Sequence, residues 1–227
     1  MARVYVADDE KNIRDLIASF LCEQSLEVEV FETGDQLFLR FLEEEADVII
    51  LDVMMPGTSG IDIAARIRKQ SDVPIILLTA RDGDEDFLQG FSAGADDYFT
   101  KPFSSLKLSF RVKAILSRHA TSSKKSDADV IAYEGLTLSE KERLVLYKKV
   151  PLKLTNTEFE LLKMLLKHQE EAISRQDLLQ QIWGYEEDVE TRVTDDTIKR
   201  LRKKLREVDS HVLIETVWGY DFKLTKK

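Results

Sequence analysis

The chain is short of cysteine: Cys22 is the only one, so no disulfide can close within it. Cys22 follows Phe20 and Leu21 in a stretch of helical spacing, which makes it a partly buried helix residue rather than a redox sensor and suits a reducing cytoplasm. No apolar run approaches the roughly 20 residues needed to cross a bilayer, and the opening Met-Ala-Arg-Val-Tyr-Val-Ala-Asp-Asp-Glu has no signal-peptide core. No membrane partner is expected. An internal repeat is missing as well. So is any overall basic excess: the formal net charge is −9. That total is uneven. Residues 1–119 carry 13 basic and 22 acidic side chains, whereas residues 130–227 carry 18 of each. With 227 residues, 43% of them hydrophobic, the chain has length and apolar content for two domains with separate cores.

The first half is organised around Val48-Ile49-Ile50-Leu51-Asp52, followed by Val53-Met54-Met55-Pro56-Gly57. Four apolar residues, mostly β-branched, predict a strand buried on both faces, and Pro and Gly then force the chain out of regular structure. The other apolar runs end similarly: Val4–Ala7 in Asp8-Asp9, Ile75–Leu78 in Thr79-Ala80, Asp97–Thr100 in Lys101-Pro102. A fifth strand is expected at Val28–Phe31. Helical spacing covers 11–23, 35–44, 60–69, about 84–93 and 105–117. Five strand–helix units predict a doubly wound five-stranded parallel sheet, flavodoxin-like, with right-handed crossovers. The carboxyl edge of such a sheet holds ligands, and here it gathers three carboxylates, a hydroxyl and an ammonium. Clustered acids repel one another unless a cation neutralises them, and with oxygen donors and neither His nor Cys nearby that cation is Mg²⁺.

Residues 120–129, small and polar, read as a flexible linker between a domain at 1–119 and one at 130–227. The second domain opens with strand-like runs at 130–133, 136–138, 144–147 and 150–154. Three helices follow: one capped by Thr155-Asn156-Thr157-Glu158, one opened by Ser174-Arg175-Gln176-Asp177, and one over about 195–208. Two final runs, 212–217 and 220–224, meet around Trp218-Gly219. Helices followed by a hairpin give an α+β winged helix-turn-helix. In the third helix Ile198, Leu201, Leu205 and Val208 share the inward face. Lys199, Arg200, Arg202, Lys203, Lys204 and Arg206 form a basic stripe, and Asp196, Lys199, Arg200 and Lys203 share the outward face, joined by Arg192 and Val193 if the helix begins early. Such a face can enter the major groove of double-stranded DNA.

Taken together, Asp8-Asp9, Asp52 with Met-Met-Pro-Gly, Thr79-Ala80-Arg81, Gly94-Ala95-Asp96-Asp97-Tyr98 and Lys101-Pro102-Phe103 resemble the receiver domain of OmpR/PhoB-type two-component response regulators. Leu154-Thr155 with Glu158-Phe159, the run Arg200–Leu205, and Ile214–Val217 with Gly219 resemble their winged-helix domain. The resemblance covers nearly the whole chain. It implies that Asp52 accepts a phosphoryl group from a sensor histidine kinase, that Asp8, Asp9, Asp52 and the Met54 carbonyl hold Mg²⁺, and that Lys101 and Thr79 meet the phosphate. It further implies Tyr98 as a switch, a cis Lys101–Pro102 bond, dimerisation on activation, tandem or repeated DNA half-sites, and a contact with RNA polymerase. The DNA-contacting set so implied is Arg192, Asp196, Thr197, Lys199, Arg200, Arg202, Lys203, Thr216, Trp218 and Lys223. Catalytic turnover is not expected beyond slow self-dephosphorylation. A hydrolase built on an aspartyl phosphate would need an acid–base partner, and a C-terminal half that binds protein instead of DNA is the other alternative.

Several positions depart from the family. On the dimer face Asp96, Asp97, Arg111 and Arg118 remain available for ion pairs, but Phe87, Lys107 and Phe110 replace the usual basic, acidic and small residues. With Leu88 and Phe91 this face is more apolar, and dimerisation partly independent of phosphate is expected, because burying a Phe contributes ~1.5–3 kcal/mol against ~0–1 for an exposed ion pair. In the second domain Asp196 stands where an apolar residue is common, either accepting from a cytosine amine or merely repelling phosphates. Trp218 replaces a minor-groove Arg, and Phe222 replaces a phosphate-contacting Tyr. Weaker non-specific binding is the expectation.

Overall fold

The computed structural model describes residues 1–80, 94–121, 130–184, 192–217 and 221–227. The expected helix at 84–93, residues 122–129 of the expected linker, and Trp218 lie outside the described residues. The chain divides into two compact units, Met1–Ser117 and Arg118–Lys227.

The first unit runs β1 (Arg3–Ala7), α1 (Lys11–Cys22), β2 (Glu27–Phe31), α2 (Gly34–Glu43), β3 (Val48–Asp52), α3 (Gly60–Arg68), β4 (Ile75–Ala80), β5 (Asp97–Lys101) and α4 (Ser105–Thr121). The sheet order is β2-β1-β3-β4-β5, every pair parallel. Alternation along the strands supplies two cores. Tyr5, Ala7, Ile49, Leu51, Ile75 and Leu77 pack with Leu37, Phe41, Ile63 and Ile67 of α2 and α3 on one face. Val4, Val6, Val48, Ile50, Ile76 and Leu78 pack with Ile17, Leu21, Leu108 and Val112 of α1 and α4 on the other. Every residue of β3 is buried, which explains its unbroken apolar run. Thr33 and Ser59 cap α2 and α3 by accepting from the Gln36 and Asp62 amides, each cap contributing about 1 kcal/mol. Two expectations change. Cys22 is exposed at the end of α1 rather than partly buried, because Ile17 and Leu21 already occupy that helix's inward face. The last helix runs on to Thr121, since nothing in 118–121 breaks a helix.

The second unit begins with an antiparallel sheet in the order β6 (Val130–Tyr133), β7 (Leu136–Ser139), β8 (Leu144–Tyr147), β9 (Val150–Pro151). Then come α5 (Asn156–Lys167), β10 (Ile173–Ser174), α6 (Arg175–Trp183), α7 (Val193–Glu207), β11 (Val212–Val217) and β12 (Asp221–Lys226). The closing sheet is β10-β12-β11, so the final hairpin has a third, two-residue strand. At the start of α5 the Thr155 hydroxyl accepts from the Glu158 amide while Glu158 Oε2 accepts from the Thr155 amide at 2.8 Å, a reciprocal cap. α7 buries Val193, Thr194, Thr197, Ile198, Leu201 and Leu205. It begins two residues before the expected start, which brings Arg192 to its N-terminus.

Candidate functional sites

The sheet's carboxyl edge brings the predicted cluster together. Asp8 directly follows β1, Asp52 ends β3, Thr79 is the penultimate residue of β4, and Lys101 ends β5. Ligand oxygens of Asp8, Asp9 and Asp52 lie within 4.8 Å of one another. Asp8 and Asp52 are buried and Asp9 is exposed. The Lys101 ammonium sits 2.7 Å from Asp52 Oδ2, 2.8 Å from Asp8 Oδ2 and 3.6 Å from Glu10 Oε1. Burial pushes the Asp52 carboxyl above its ordinary value, Lys101 opposes that rise, and the Asp8 charge adds to it. Burial pulls on Lys101 in the other direction, but its bonds to Asp52 and Asp8 outweigh this and leave its ammonium raised. The Lys101–Pro102 peptide is cis.

The cluster suits a hard divalent cation. Its donors are all oxygens, and three carboxylates share one close ammonium. Buried Asp8 Oδ2 meets the Lys101 ammonium at 2.8 Å with poor hydrogen-bond alignment, and one ammonium against three carboxylates leaves negative charge for a cation to offset. Met54 follows two residues after Asp52 and its amide donates to Asp52 Oδ1 at 3.3 Å, a local turn at the start of the loop. Thr79 donates to the Ala80 carbonyl at 3.1 Å, and half-buried Tyr98, on the neighbouring strand, packs against the α2–α3 core.

Supporting residues emerge that the sequence pattern did not reveal. Arg14 of α1 is buried and its Nη1 donates to the main-chain carbonyls of Asp8 and Asp9, at 2.6 and 2.9 Å, while Nη2 reaches Glu32 at 3.1 Å. Asp35 of α2 accepts from the Thr58 hydroxyl at 2.9 Å and so fixes the loop after Asp52. Gly57 turns that loop at φ +89°. A Cβ on Gly60 would stand 1.9 Å from the Asp52 carbonyl oxygen, so only glycine lets α3 start there. A mixed-polarity helix face gives no signal for Arg14. Gly60 could have been suspected, being a glycine at a helix start.

The expected dimer face is altered. Asp96 does not stand on an open face: it is buried, accepting from Arg68 Nη2 at 2.8 Å and from the Ile75 amide at 3.1 Å. Asp97 and Arg111 are both buried and pair with each other within the protomer. Burial lifts the Asp97 carboxyl, with the Arg111 charge opposing. On α4, Lys107 is exposed and so are Leu106 and Phe110, 50% and 60% accessible. Phe87, Leu88, Phe91 and the Arg118 side chain lie outside the described residues.

The basic stripe of α7 splits in two. Glu158, the cap residue of α5, is buried and draws Lys204 Nζ to 2.5 Å and Arg200 Nε to 3.5 Å. Arg200 also donates to the Thr197 hydroxyl at 3.2 Å. Arg202 turns toward β11, donating to the Ile214 carbonyl at 2.7 Å and to Thr216 Oγ1 at 2.8 Å. Thr197 is fully buried, its hydroxyl donating to the Val193 carbonyl at 2.8 Å. Thr197 and Val193, both fully buried, therefore cannot stand on an outward face, and Arg200 and Lys204 are held inward by Glu158. What remains exposed is Arg192, Lys199, Lys203 and Arg206. With half-buried Asp196 these fall at steps of four, three, four and three, one continuous helix face. Thr216 is exposed and Lys223 half-buried on the final hairpin. Phe222, expected to offer phosphate no hydroxyl donor, is buried beneath the Arg175 guanidinium, which lies 5.3 Å from its ring centroid.

A parallel sheet with an acid–lysine cluster at its carboxyl edge, joined in one chain to a winged-helix unit, defines a two-domain signalling regulator. Family comparison agrees with both halves: a response regulator receiver domain matches residues 4–113, and the C-terminal domain of transcriptional regulatory proteins matches residues 149–224. The uncharacterized transcriptional regulatory protein YclJ of Bacillus subtilis is 41% identical over 223 residues, covering 97% of this chain and 98% of YclJ. Transcriptional regulatory protein ResD of the same organism is 37% identical over 227 residues, covering 97% of this chain and 95% of ResD. Among solved structures, the response regulator DrrB, a Thermotoga maritima OmpR/PhoB homolog, is 35% identical with a TM-score of 0.51 and 99% coverage of each chain. The chain belongs to the OmpR/PhoB-type two-component response regulators, with a receiver and a DNA-binding domain. No helix among the described residues is long and apolar enough to cross a membrane.

Proposed function

We propose that this regulator works in the cytoplasm, takes a phosphoryl group from a sensor histidine kinase onto Asp52, dimerises and binds specific double-stranded DNA to control transcription. The observation that carries this reading is the Lys101 ammonium seated between Asp8 and Asp52 at the ends of three parallel strands. A carboxylate oxygen of Asp52 attacks phosphorus, the P–N bond to the kinase histidine breaks, and a P–O bond forms. Asp8, Asp9, Asp52 and the Met54 carbonyl are the residues that would hold Mg²⁺, which when bound offsets charge on the phosphoryl oxygens. Lys101 transfers one of its contacts from Asp52 to the new phosphate, the Thr79 hydroxyl leaves the Ala80 carbonyl to donate to it, and Tyr98 fills the space so vacated.

Dimerisation uses the surface of α4 around Lys107, where exposed Leu106 and Phe110 supply apolar area that does not wait for phosphate. DNA binding uses the α7 face of Arg192, Lys199 and Lys203 with Thr216 and Lys223 of the hairpin, on tandem or repeated half-sites, near enough to engage RNA polymerase. Incubation with a small-molecule phosphodonor and Mg²⁺, followed by intact mass, should add one phosphoryl group to the chain and none to Asp52→Asn. Absence of the gain in the unsubstituted protein, with Mg²⁺ binding intact, would refute the phosphoacceptor assignment. Sedimentation with and without beryllofluoride then reads dimerisation, and a monomer in both states at micromolar concentration would remove the apolar α4 surface as an interface.

A further inference from the structure

The outward face of α7 carries one acid among its cations. Asp196 lies three residues before Lys199 and four from both Arg192 and Arg200. It is half-buried, and its Oδ2 is shielded from water with no hydrogen-bond donor among the described residues. Neither lysine nor arginine of the helix closes on it. Burial raises its carboxyl above the ordinary value, with Arg200 and Lys199 opposing the rise. Asp195, its neighbour, is by contrast fully used: Arg175 grips it through Nε at 2.8 Å and Nη2 at 2.5 Å. A carboxylate that is partly stripped of water and given no donor is a cost to the folded protein. Its other oxygen, Oδ1, is not among the enclosed atoms and accepts no hydrogen bond among the described residues, so it is the atom a ligand's donor can reach.

In the major groove the edges available to such a group differ sharply. Guanine offers N7 and O6, both acceptors, and thymine offers O4, also an acceptor, so each repels a carboxylate. Adenine offers its N6 amine, but beside the N7 acceptor. Cytosine offers an N4 amine flanked only by a ring C–H. A lone acid on a groove-facing helix is therefore matched by cytosine, and the cations one turn away are suited to the guanine paired with it.

We infer that Asp196 is a specificity-determining residue that reads a cytosine in each DNA half-site through its N4 amine. The inference rests on the DNA-binding reading above. Selection from a randomised duplex pool with the full-length protein tests it, alongside Asp196→Asn and Asp196→Ala. The unsubstituted protein should enrich a motif with one cytosine favoured on the order of tenfold over other bases. Asp196→Ala should erase the preference at that position while retaining the rest of the motif. Asp196→Asn should move it to adenine, because an amide can pair with N6 and N7 together. An unchanged motif in Asp196→Ala overturns the inference and leaves DNA binding standing. So does a uniform rise in affinity without a change of preference, which would make Asp196 a repulsive charge only. Failure of the unsubstituted protein to enrich any sequence overturns the specific-DNA reading itself, and the inference with it.

Discussion

Both candidate sites are crowded with charge, yet they are held differently. In the receiver pocket Asp8, Asp52 and Lys101 sit at or directly after the ends of parallel strands, and the strand register sets where their Cα atoms stand. On α7 the charges lie on long side chains along a helix, and any acid within reach can redirect them. Glu158 takes Arg200 and Lys204, and the β11 backbone takes Arg202. A strand-end cluster is thus fixed by topology, whereas a basic stripe is shared out between the protein and its ligand.

The contrast can be broken most severely at Asp52. Asp52→Asn should abolish phosphoryl gain by intact mass. Because burial raises the Asp52 carboxyl, its contribution to stability is present below its unfolded pKa and is lost as pH rises through the folded value. Asp52→Asn should therefore raise the melting temperature of the magnesium-free protein near neutral pH, with the gain vanishing on acidification. A melting curve unaltered at both pH values would contradict that account of the pocket. Next in size is Gly60→Ala, whose added methyl meets the Asp52 carbonyl. A loss of about 1–3 kcal/mol in the first transition of a urea titration is expected, and a neutral result would show that α3 can shift.

On the helix side Glu158→Ala removes a cap and the partner of two cations. It should cost about 2 kcal/mol in the second unit, read by thermal melting, with Glu158→Gln recovering part of it. The smallest effects sharpen the comparison most. Lys199→Ala and Lys203→Ala should each lower the salt slope of DNA affinity by about 1. Lys204→Ala should leave it almost unchanged, since that ammonium already has Glu158. Equal slopes for all three variants would mean that the stripe is not divided.

The sequence was most legible where apolar runs end in functional groups. Val48–Leu51 is continuous because both faces of β3 are covered, and that same run announces where Asp52 must lie. The reciprocal cap of Thr155 and Glu158 was equally plain. Thr197 misled because a polar residue on a basic helix suggests an outward position, yet its hydroxyl is satisfied by its own helix at the Val193 carbonyl. Arg200 and Arg202 misled for a tertiary reason, as Glu158, which draws Arg200, and the Ile214 carbonyl, which accepts from Arg202, are 42 and 12 residues away in sequence. The two-residue β10 is too short to carry any pattern. Cys22 was placed inward by its apolar neighbours although the helix had already spent that face.

Arg14 gives α1 a second role. Its guanidinium holds the main chain of Asp8 and Asp9 from behind, so the acid pair is tethered to the body of that helix rather than to a loose loop. The two carboxylates therefore project from a segment of main chain whose position is set by the helix, and a displacement of α1 along its axis would carry both of them with it.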